Sequence, residues 1–174
     1  MHSITFTRPG RLCWILGLLV LSISGCASEE APAPASDPLE ALRAHMSELM
    51  TRPEHDAAEV EVQHLLVAFK GAAQSKATRS KQEAEQLAAE LYARALAGEY
   101  FDDLVRESTD DAHPGIYTMT AGQPAGGRQG VYSRSVMANA FGDVGWRLEV
   151  GAFGVSDYDP QTGPFGYHII KRLR

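Results

Sequence analysis

The chain has 174 residues, of which 44% are hydrophobic and 22% are charged, and 16 basic against 22 acidic residues give a formal net charge of −6 at pH 7. This negative balance argues against nucleic acid as a partner, because phosphate backbones are bound by basic surfaces. The length fits one domain with a modest hydrophobic core.

The first 25 residues have the layout of an export signal. Arg8 and Arg11 stand without acidic neighbours, and Leu12 to Ile23 form an apolar run. A run of about a dozen apolar residues is too short for a bilayer, which takes about 20. The segment from Leu21 to Cys26 resembles a bacterial lipobox, so we expect cleavage before Cys26 and lipidation of that cysteine. The alternative is an ordinary secretory signal with a chance cysteine.

Cleavage at this site would leave Cys26 as the single cysteine, because Cys13 would leave with the signal. We therefore expect no intramolecular disulfide bond. Acyl chains on Cys26 would hold the protein on a membrane, since stable attachment takes more than one chain. Ala27 and Ser28 follow instead of an aspartate. This favours the cell envelope, with the outer membrane facing the periplasm preferred over the inner membrane.

The next two segments are a tether over residues 26–37 and an N-terminal helix with its linker over residues 38–59. The tether alternates proline with alanine and has few apolar residues that could pack. Asp37 can cap the helix and Pro38 suits its first turn. Apolar residues at helical spacing precede Pro53, namely Leu39, Leu42, Met46, Leu49 and Met50. Packing of this helix on the domain is favoured over binding to a partner.

Val60 to Phe69 predicts a strand in which His64 faces the same side as Val60, Val62 and Leu66. Two helices are predicted next, the first starting at a cap on Thr78 or Ser80 and ending at Gly98, the second from Phe101 to Glu107.

Residues 108–130 are rich in turn residues and predict a loop, with extended structure near Ile116 to Thr118. Further along, the pattern predicts a short strand over residues 130–132 and a helix capped by Ser133 that contains Met137, Phe141 and Trp146. Residues 153–155 and 167–173 would close the sheet. Helices placed between strands in this order favour an α+β fold.

Two histidines, His64 and His168, each lie on an apolar run that predicts a strand, and Asp110-Asp111 and the segment from Met137 to Phe141 lie between them. In this order the elements resemble the parvulin-type (PpiC-like) peptidyl-prolyl cis-trans isomerase domain over residues 60–174. The resemblance implies a four-stranded antiparallel sheet surrounded by about four helices. It also implies a shallow groove for proline.

The resemblance assigns catalytic positions to His64, Asp111 and His168. It assigns substrate binding to Met137 and Phe141, which would receive the proline ring, to Phe165 beside the groove and to Gln129, which replaces a usual apolar residue. Asp111 stands where some members have cysteine, so covalent chemistry through a thiol is unavailable. Taken alone, each buried histidine would more simply be an ordinary core residue; the shared order of all these residues favours the site.

Two functions remain open from the sequence. The first is an isomerase that needs no cofactor and assists the folding of extracytoplasmic, proline-containing polypeptide clients by twisting the X-Pro amide. The second is a non-catalytic peptide-binding chaperone or assembly-factor lipoprotein that uses the same groove, favoured by Gln129 and by Ala138 in the groove wall. A zinc site of two histidines and a carboxylate is the weakest alternative, because no close ligand spacing supports it, and we expect no metal.

Overall fold

The computed structural model of the protein describes residues 37–124 and 128–174. The predicted signal, Cys26 and the tether before Asp37 lie outside the described residues. The described elements follow one another in this order: α1 (Pro38–Leu49), β1 (Glu59–Val67), α2 (Lys81–Leu96), α3 (Phe101–Ser108), β2 (Ile116–Thr120), β3 (Val131–Ser133), a 3₁₀ turn (Arg134–Val136), α4 (Asn139–Arg147), β4 (Phe153–Ser156) and β5 (Tyr167–Arg172). Among the described residues, no helix combines the length and the apolar character needed to cross a membrane.

The α+β class is confirmed, and the sheet has one strand more than expected. The strands are arranged in the order β3-β2-β1-β5-β4. Within the run β2-β1-β5-β4, each strand is antiparallel to the next, as the resemblance implies. The short β3 is added at one edge and runs parallel to β2. A parallel neighbour needs a connection longer than a hairpin turn, and the turn-rich segment between β2 and β3 supplies that length.

The alternation in β1 separates two hydrophobic clusters, one on each face of the sheet. Leu65 and Val67 lie in the cluster covered by α1, α2 and α3. Val60 and Val62 lie in the cluster covered by α4. His64 therefore faces the α4 side, on the face that the sequence predicts.

Helix α1 is part of the folded core. The Asp37 side chain accepts a hydrogen bond from the Leu39 backbone N–H at 3.0 Å, which confirms the predicted cap. Leu42 and Leu49 are fully buried, Leu42 in the cluster with α2 and Leu49 in the cluster with α4. The predicted packing of this helix on the domain is thus confirmed, and its residues do not line the groove described below.

The expected helix from Ser133 to Trp146 is interrupted. Ser133 caps only the 3₁₀ turn, and Met137 is extended, with φ −87° and ψ 159°. Helix α4 begins after Ala138, and the backbone N–H of Ala140 in its first turn donates to the Thr162 carbonyl at 3.1 Å. The first N–H groups of a helix have no partner inside it, so the loop before β5 fixes where α4 starts. Met137 consequently lies before the helix and not on it.

The burial of α1 leads to a test by truncation of two leucines. Leu42→Ala should lower the free energy of unfolding by about 2 to 5 kcal/mol, because it opens a cavity under α1. Leu96→Ala, at a side chain that is 59% exposed, is the matched control and should change stability by about 0.5 kcal/mol or less. Urea unfolding followed by circular dichroism measures both. Equal small effects would mean that α1 is not part of the cooperative core.

Candidate functional site

A groove of about 620 Å³ opens on the α4 face of the sheet, where β1, β2 and β5 pass the start of α4. Six residues that the sequence analysis selected line this groove together: His64, Asp111, Met137, Phe141, Phe165 and His168. They come from four separate parts of the chain, around residues 64, 111, 137–141 and 165–168. The fold thus brings together the residues that the sequence could only align in order.

The two histidines form the floor of the groove. The Nδ1 atoms of His64 and His168 lie 3.0 Å apart, and the two side chains are only 3% and 6% exposed. At this distance one nitrogen has to donate and the other has to accept, so only one of the two Nδ1 atoms carries a proton. Burial, reinforced by the neighbouring His64, lowers the pKa of His168 to about 3. His168 is therefore neutral across the physiological range.

Asp111 fixes which nitrogen of His64 carries the proton. Its Oδ2 lies 3.2 Å from His64 Nε2, which is close enough for an ion-pair contact, although Nε2 has no hydrogen-bond partner of regular geometry. The imidazole of His64, with smaller effects of the Ala112 N–H and the Tyr117 hydroxyl, lowers the pKa of Asp111 to about 2 although partial burial opposes this. An ionised carboxylate accepts hydrogen bonds and cannot donate them, so we infer the tautomers in which His64 carries a proton on Nε2 and His168 donates from Nδ1.

Tyr117 is the site residue that the sequence analysis missed. It lines the groove, and its hydroxyl donates to Asp111 Oδ2 at 3.4 Å. Burial, followed by the negative charge of Asp111, raises the pKa of Tyr117, so the hydroxyl stays protonated. Tyr117 pairs with Val62 across β1 and β2, which sets its ring beside His64. That register is a long-range property, and an isolated tyrosine in a weak strand pattern gives no signal of it.

Phe141 connects the rings of the groove. Its ring centroid lies 5.2 Å from that of His64, 5.5 Å from His168 and 6.0 Å from Tyr117, each in an edge-to-face arrangement. Such contacts stabilise a pair of rings by about 0.5 to 1.5 kcal/mol beyond their burial. Phe141 therefore holds both histidines in place and presents an apolar wall to the groove.

The segment that carries Asp111 is bound to the free edge of β1. Thr109 Oγ1 accepts from the Leu66 N–H at 3.1 Å and from the Asp111 N–H at 3.2 Å, and the Asp110 N–H donates to the Leu66 carbonyl at 2.9 Å. Asp110 Oδ2 also accepts from the Ala68 N–H at 2.8 Å. The segment thus takes the place of a strand where β2 has left β1, and it aims Asp111 into the groove.

Arg79, in the loop before α2, is paired with this segment. Its Nη1 contacts Asp110 Oδ2 and also donates to the Ala68 carbonyl at 2.8 Å. Lys76 of the same loop lines the groove, together with Gln74 and Ser75. One end of the groove therefore has a polar wall that the sequence did not predict.

Gln129 is not in the groove. It lies exposed in the turn before β3 and does not line the cavity. The resemblance assigned Gln129 to the groove side of the run before this strand, which starts at Val131. Substrate binding by Gln129 is therefore not supported by its position, whereas Ala138 does line the groove.

Within residues 37–124 and 128–174, no three His, Cys, Asp or Glu side chains are grouped as metal ligands would be.

The low pKa of His168 leads to a pH test. The unfolded chain binds a proton at this position below about pH 6.5, whereas the folded chain does not until about pH 3. Protonation of His168 therefore stabilises the unfolded chain only, and the free energy of unfolding falls as pH decreases through this window. Asp111 acts in the same direction only below about pH 4. From pH 7 to pH 5, the wild type should lose about 1 to 2 kcal/mol of unfolding free energy from this group.

His168→Gln should lack this part of the pH dependence, and His55→Gln, at a partly exposed ring, should keep it. Urea unfolding at both pH values compares the three proteins. The same loss in His168→Gln as in the wild type would contradict a buried neutral histidine.

Comparison with known proteins bears on the family and the fold. The model of the PPIC-type PPIASE domain family matches residues 45–173. Among solved structures, the chain is similar to the peptidyl-prolyl isomerase ESS1 from Candida albicans with a TM-score of 0.53 and 19% identity, over 78% of this chain and 74% of that chain. At this identity the structural likeness shows the fold. No curated protein sequence matches the chain. The family match covers most of the chain, and the chain belongs to the PPIC-type peptidyl-prolyl isomerase (parvulin) family.

Proposed function

We propose that this isomerase accelerates cis/trans exchange of X-Pro bonds without covalent chemistry, in proteins that fold outside the cytoplasm. One observation carries the proposal: six predicted site residues from distant parts of the chain line one groove. Uncatalysed cis/trans exchange of X-Pro bonds takes tens of seconds or more, so it is slow enough to limit folding and to benefit from a catalyst.

The groove suits a proline ring because its middle part is apolar. Met137, Phe141 and Phe165 all line it. Burial of the ring against these side chains would hold the proline fixed while the preceding carbonyl rotates. The barrier to this rotation is about 18 to 20 kcal/mol, and each 1.4 kcal/mol or so of preferential binding to the twisted bond gives about tenfold in rate.

The charge of Asp111 favours the twisted bond. In a planar amide, resonance places partial negative charge on the carbonyl oxygen, and twisting the bond reduces this charge. A carboxylate with a pKa of about 2 remains ionised and destabilises the planar amide more than the twisted one when the oxygen lies near it. His64 and Tyr117 hold that carboxylate in position. In this proposal the two histidines shape the groove and Asp111 acts on the carbonyl.

Substitutions in the groove test the activity. Met137→Ala and His64→Ala should each lower kcat/KM on X-Pro peptides by about tenfold or more, because each removes about 1.4 kcal/mol or more of binding to the twisted state. Asp111→Ala should instead lower kcat by about tenfold and lower KM with it, because the carboxylate acts by destabilising the bound planar amide. Met50→Ala, at an exposed methionine of α1's end, is the matched control for Met137→Ala and should keep the wild-type rate. Magnetisation-exchange NMR on proline peptides with residues 27–174 measures the rates.

The same proteins separate the isomerase from a binding module. A holdase needs only affinity for the ground state, so its suppression of aggregation should survive Asp111→Ala. A folded wild type that suppresses aggregation and shows no acceleration of exchange would favour the chaperone alternative.

We further propose that the chain acts in the cell envelope, attached through lipid on Cys26. The support is the lipobox-like run from Leu21 to Cys26 and the proline-alanine segment after it. The outer membrane facing the periplasm is favoured because aspartate is absent after Cys26.

Two cysteine substitutions test this attachment. In a bacterium with two membranes, Cys26→Ser should abolish labelling by a fatty-acid analogue and release the protein from the membrane fraction. Cys13→Ser removes the cysteine that lies within the signal and should leave labelling and membrane attachment unchanged. Membrane attachment of the Cys26→Ser protein without label would indicate an uncleaved ordinary signal.

A further inference from the structure

One side of the groove is formed by a short segment between β3 and α4, and its residues 136–138 all line the groove. We call residues 134–138 the Met137 segment. Within the described part of the chain, the hydrogen bonds of its last four residues stay inside residues 133–142. The Met137 N–H, for example, donates to the Arg134 carbonyl at 3.1 Å. These bonds do not fix where the segment lies relative to the rest of the fold.

The side chain of Arg134 supplies a connection to distant residues. Its Nη1 and Nη2 donate to the two carboxylate oxygens of Glu54, in the linker between α1 and β1, at 2.7 and 2.8 Å. Nη2 also contacts the Asp143 carboxylate in α4. The guanidinium carbon lies 4.9 Å from the centre of the Trp146 ring. Because two parallel hydrogen bonds to one carboxylate fix direction as well as distance, Arg134 has one defined orientation.

Arg134 reaches Glu54 by passing directly over α4 at Gly142. A Cβ on Gly142 would lie 3.1 Å from Cγ of Arg134 and 3.3 Å from its Nε. Carbon atoms in good contact lie about 3.5 to 4.0 Å apart, so a larger residue at this position would displace the arginine. The Arg134 side chain is 25% exposed. The Met137 segment is therefore held against α4 along the length of this side chain.

Glu54 is a fixed partner because the linker is attached to α4 on both sides of it. The His55 N–H donates to a carbonyl in the last turn of α4 at 2.9 Å, and Arg147 Nε donates to the Arg52 carbonyl at 3.1 Å. Arg147 Nη1 also donates to Glu54 Oε1 at 2.7 Å. The hydrogen bond from Arg134, with further effects of Arg147, lowers the pKa of Glu54 although partial burial opposes this. Glu54 is therefore ionised at neutral pH.

We propose that Arg134 and Glu54 are positioning residues of the isomerase, which hold the Met137 side chain in place at the groove. The inference rests on the proposed function, because the position of Met137 affects a rate only if the proline ring binds against it. A side chain that is ordered before the peptide arrives reduces the entropy lost on binding. The linker thereby takes part in the activity, although none of its residues lines the groove.

A cycle of substitutions tests the hold of Arg134 on Met137. Met137→Ala is compared in the wild type and in Arg134→Gln, by magnetisation-exchange NMR on an X-Pro peptide with the full chain in detergent micelles. Arg134→Gln alone should lower kcat/KM about five- to tenfold. In that background Met137→Ala should cost about twofold instead of about tenfold, because the methionine is already displaced. Asp111→Ala, in a segment bound to β1, should lower kcat by the same factor in both backgrounds.

Two further variants separate positioning from general attachment of the N-terminal segment. Glu54→Gln, outside the groove, should lower kcat/KM in the same direction by about two- to fivefold. Arg43→Gln is the matched control, because Arg43 forms a similar double contact with Glu85, at 2.7 and 2.8 Å, and joins α1 to α2. It should change kcat/KM by about twofold or less and leave the cost of Met137→Ala unchanged. Circular dichroism checks that each variant is folded.

The methyl signal of Met137 gives a readout that does not depend on activity. In a ¹H–¹³C correlation spectrum of methionine-labelled protein, Met137→Ala identifies this signal. It should shift or broaden in Arg134→Gln and in Glu54→Gln, because the side chain loses its single position. It should stay unchanged in Arg43→Gln.

The outcomes distinguish the inference from the proposed function. Acceleration of exchange, with the full cost of Met137→Ala kept in Arg134→Gln and an unmoved methyl signal, would overturn the inference and leave the proposed function intact. A wild type without acceleration, whose methyl signal moves in Arg134→Gln and not in Arg43→Gln, would overturn the proposed function and support the hold of Arg134 on Met137. Equal effects of Arg43→Gln and Arg134→Gln would overturn the inference, because attachment of the N-terminal segment as a whole would then explain both.

Discussion

The groove depends on the contact between Nδ1 of His64 and Nδ1 of His168, 3.0 Å apart in the interior. A donor can face only an acceptor at that distance, so the proton on one ring determines the proton on the other. The carboxylate of Asp111 faces Nε2, the remaining nitrogen of His64, and so favours a proton on that atom. Phe141 packs against both rings. The orientation of the two rings that form the groove floor therefore depends on the single proton between them.

The backbone around this pair is arranged to bring Asp111 close. Gly115 has φ +65° and accepts from the His64 N–H at 2.9 Å, and a Cβ on it would lie 2.4 Å from the His64 carbonyl oxygen. Only glycine allows this approach. On the other face of β1, the buried Gln63 amide donates to the Pro114 carbonyl and to Asp102, both at 2.9 Å. The loop from Thr109 to Gly115 is thus fixed from both faces of one strand, which keeps Asp111 at the groove.

Much of this arrangement follows from local signals in the sequence. The alternation in β1 placed His64 on the correct face, and the Asp37 and Ser80 caps gave the starts of α1 and α2. The features that were not predicted are set by distant contacts. The parallel β3, the break before α4 and the position of Tyr117 depend on register between strands and on a hydrogen bond from Ala140 to Thr162. Gln129, which the resemblance assigned to the groove, lies instead in the exposed turn before β3.

The most direct test of this account is the protonation of the two histidines. Long-range ¹H–¹⁵N correlation NMR reports which ring nitrogen of each histidine carries a proton. Between pH 6 and pH 8, the account predicts that His64 carries a proton on Nε2 and none on Nδ1, and that a neutral His168 carries its proton on Nδ1. The His64→Ala and His168→Gln spectra would assign the signals. A proton on Nδ1 of His64, or a charged His168 in this range, would contradict the shared-proton arrangement on which the groove is built.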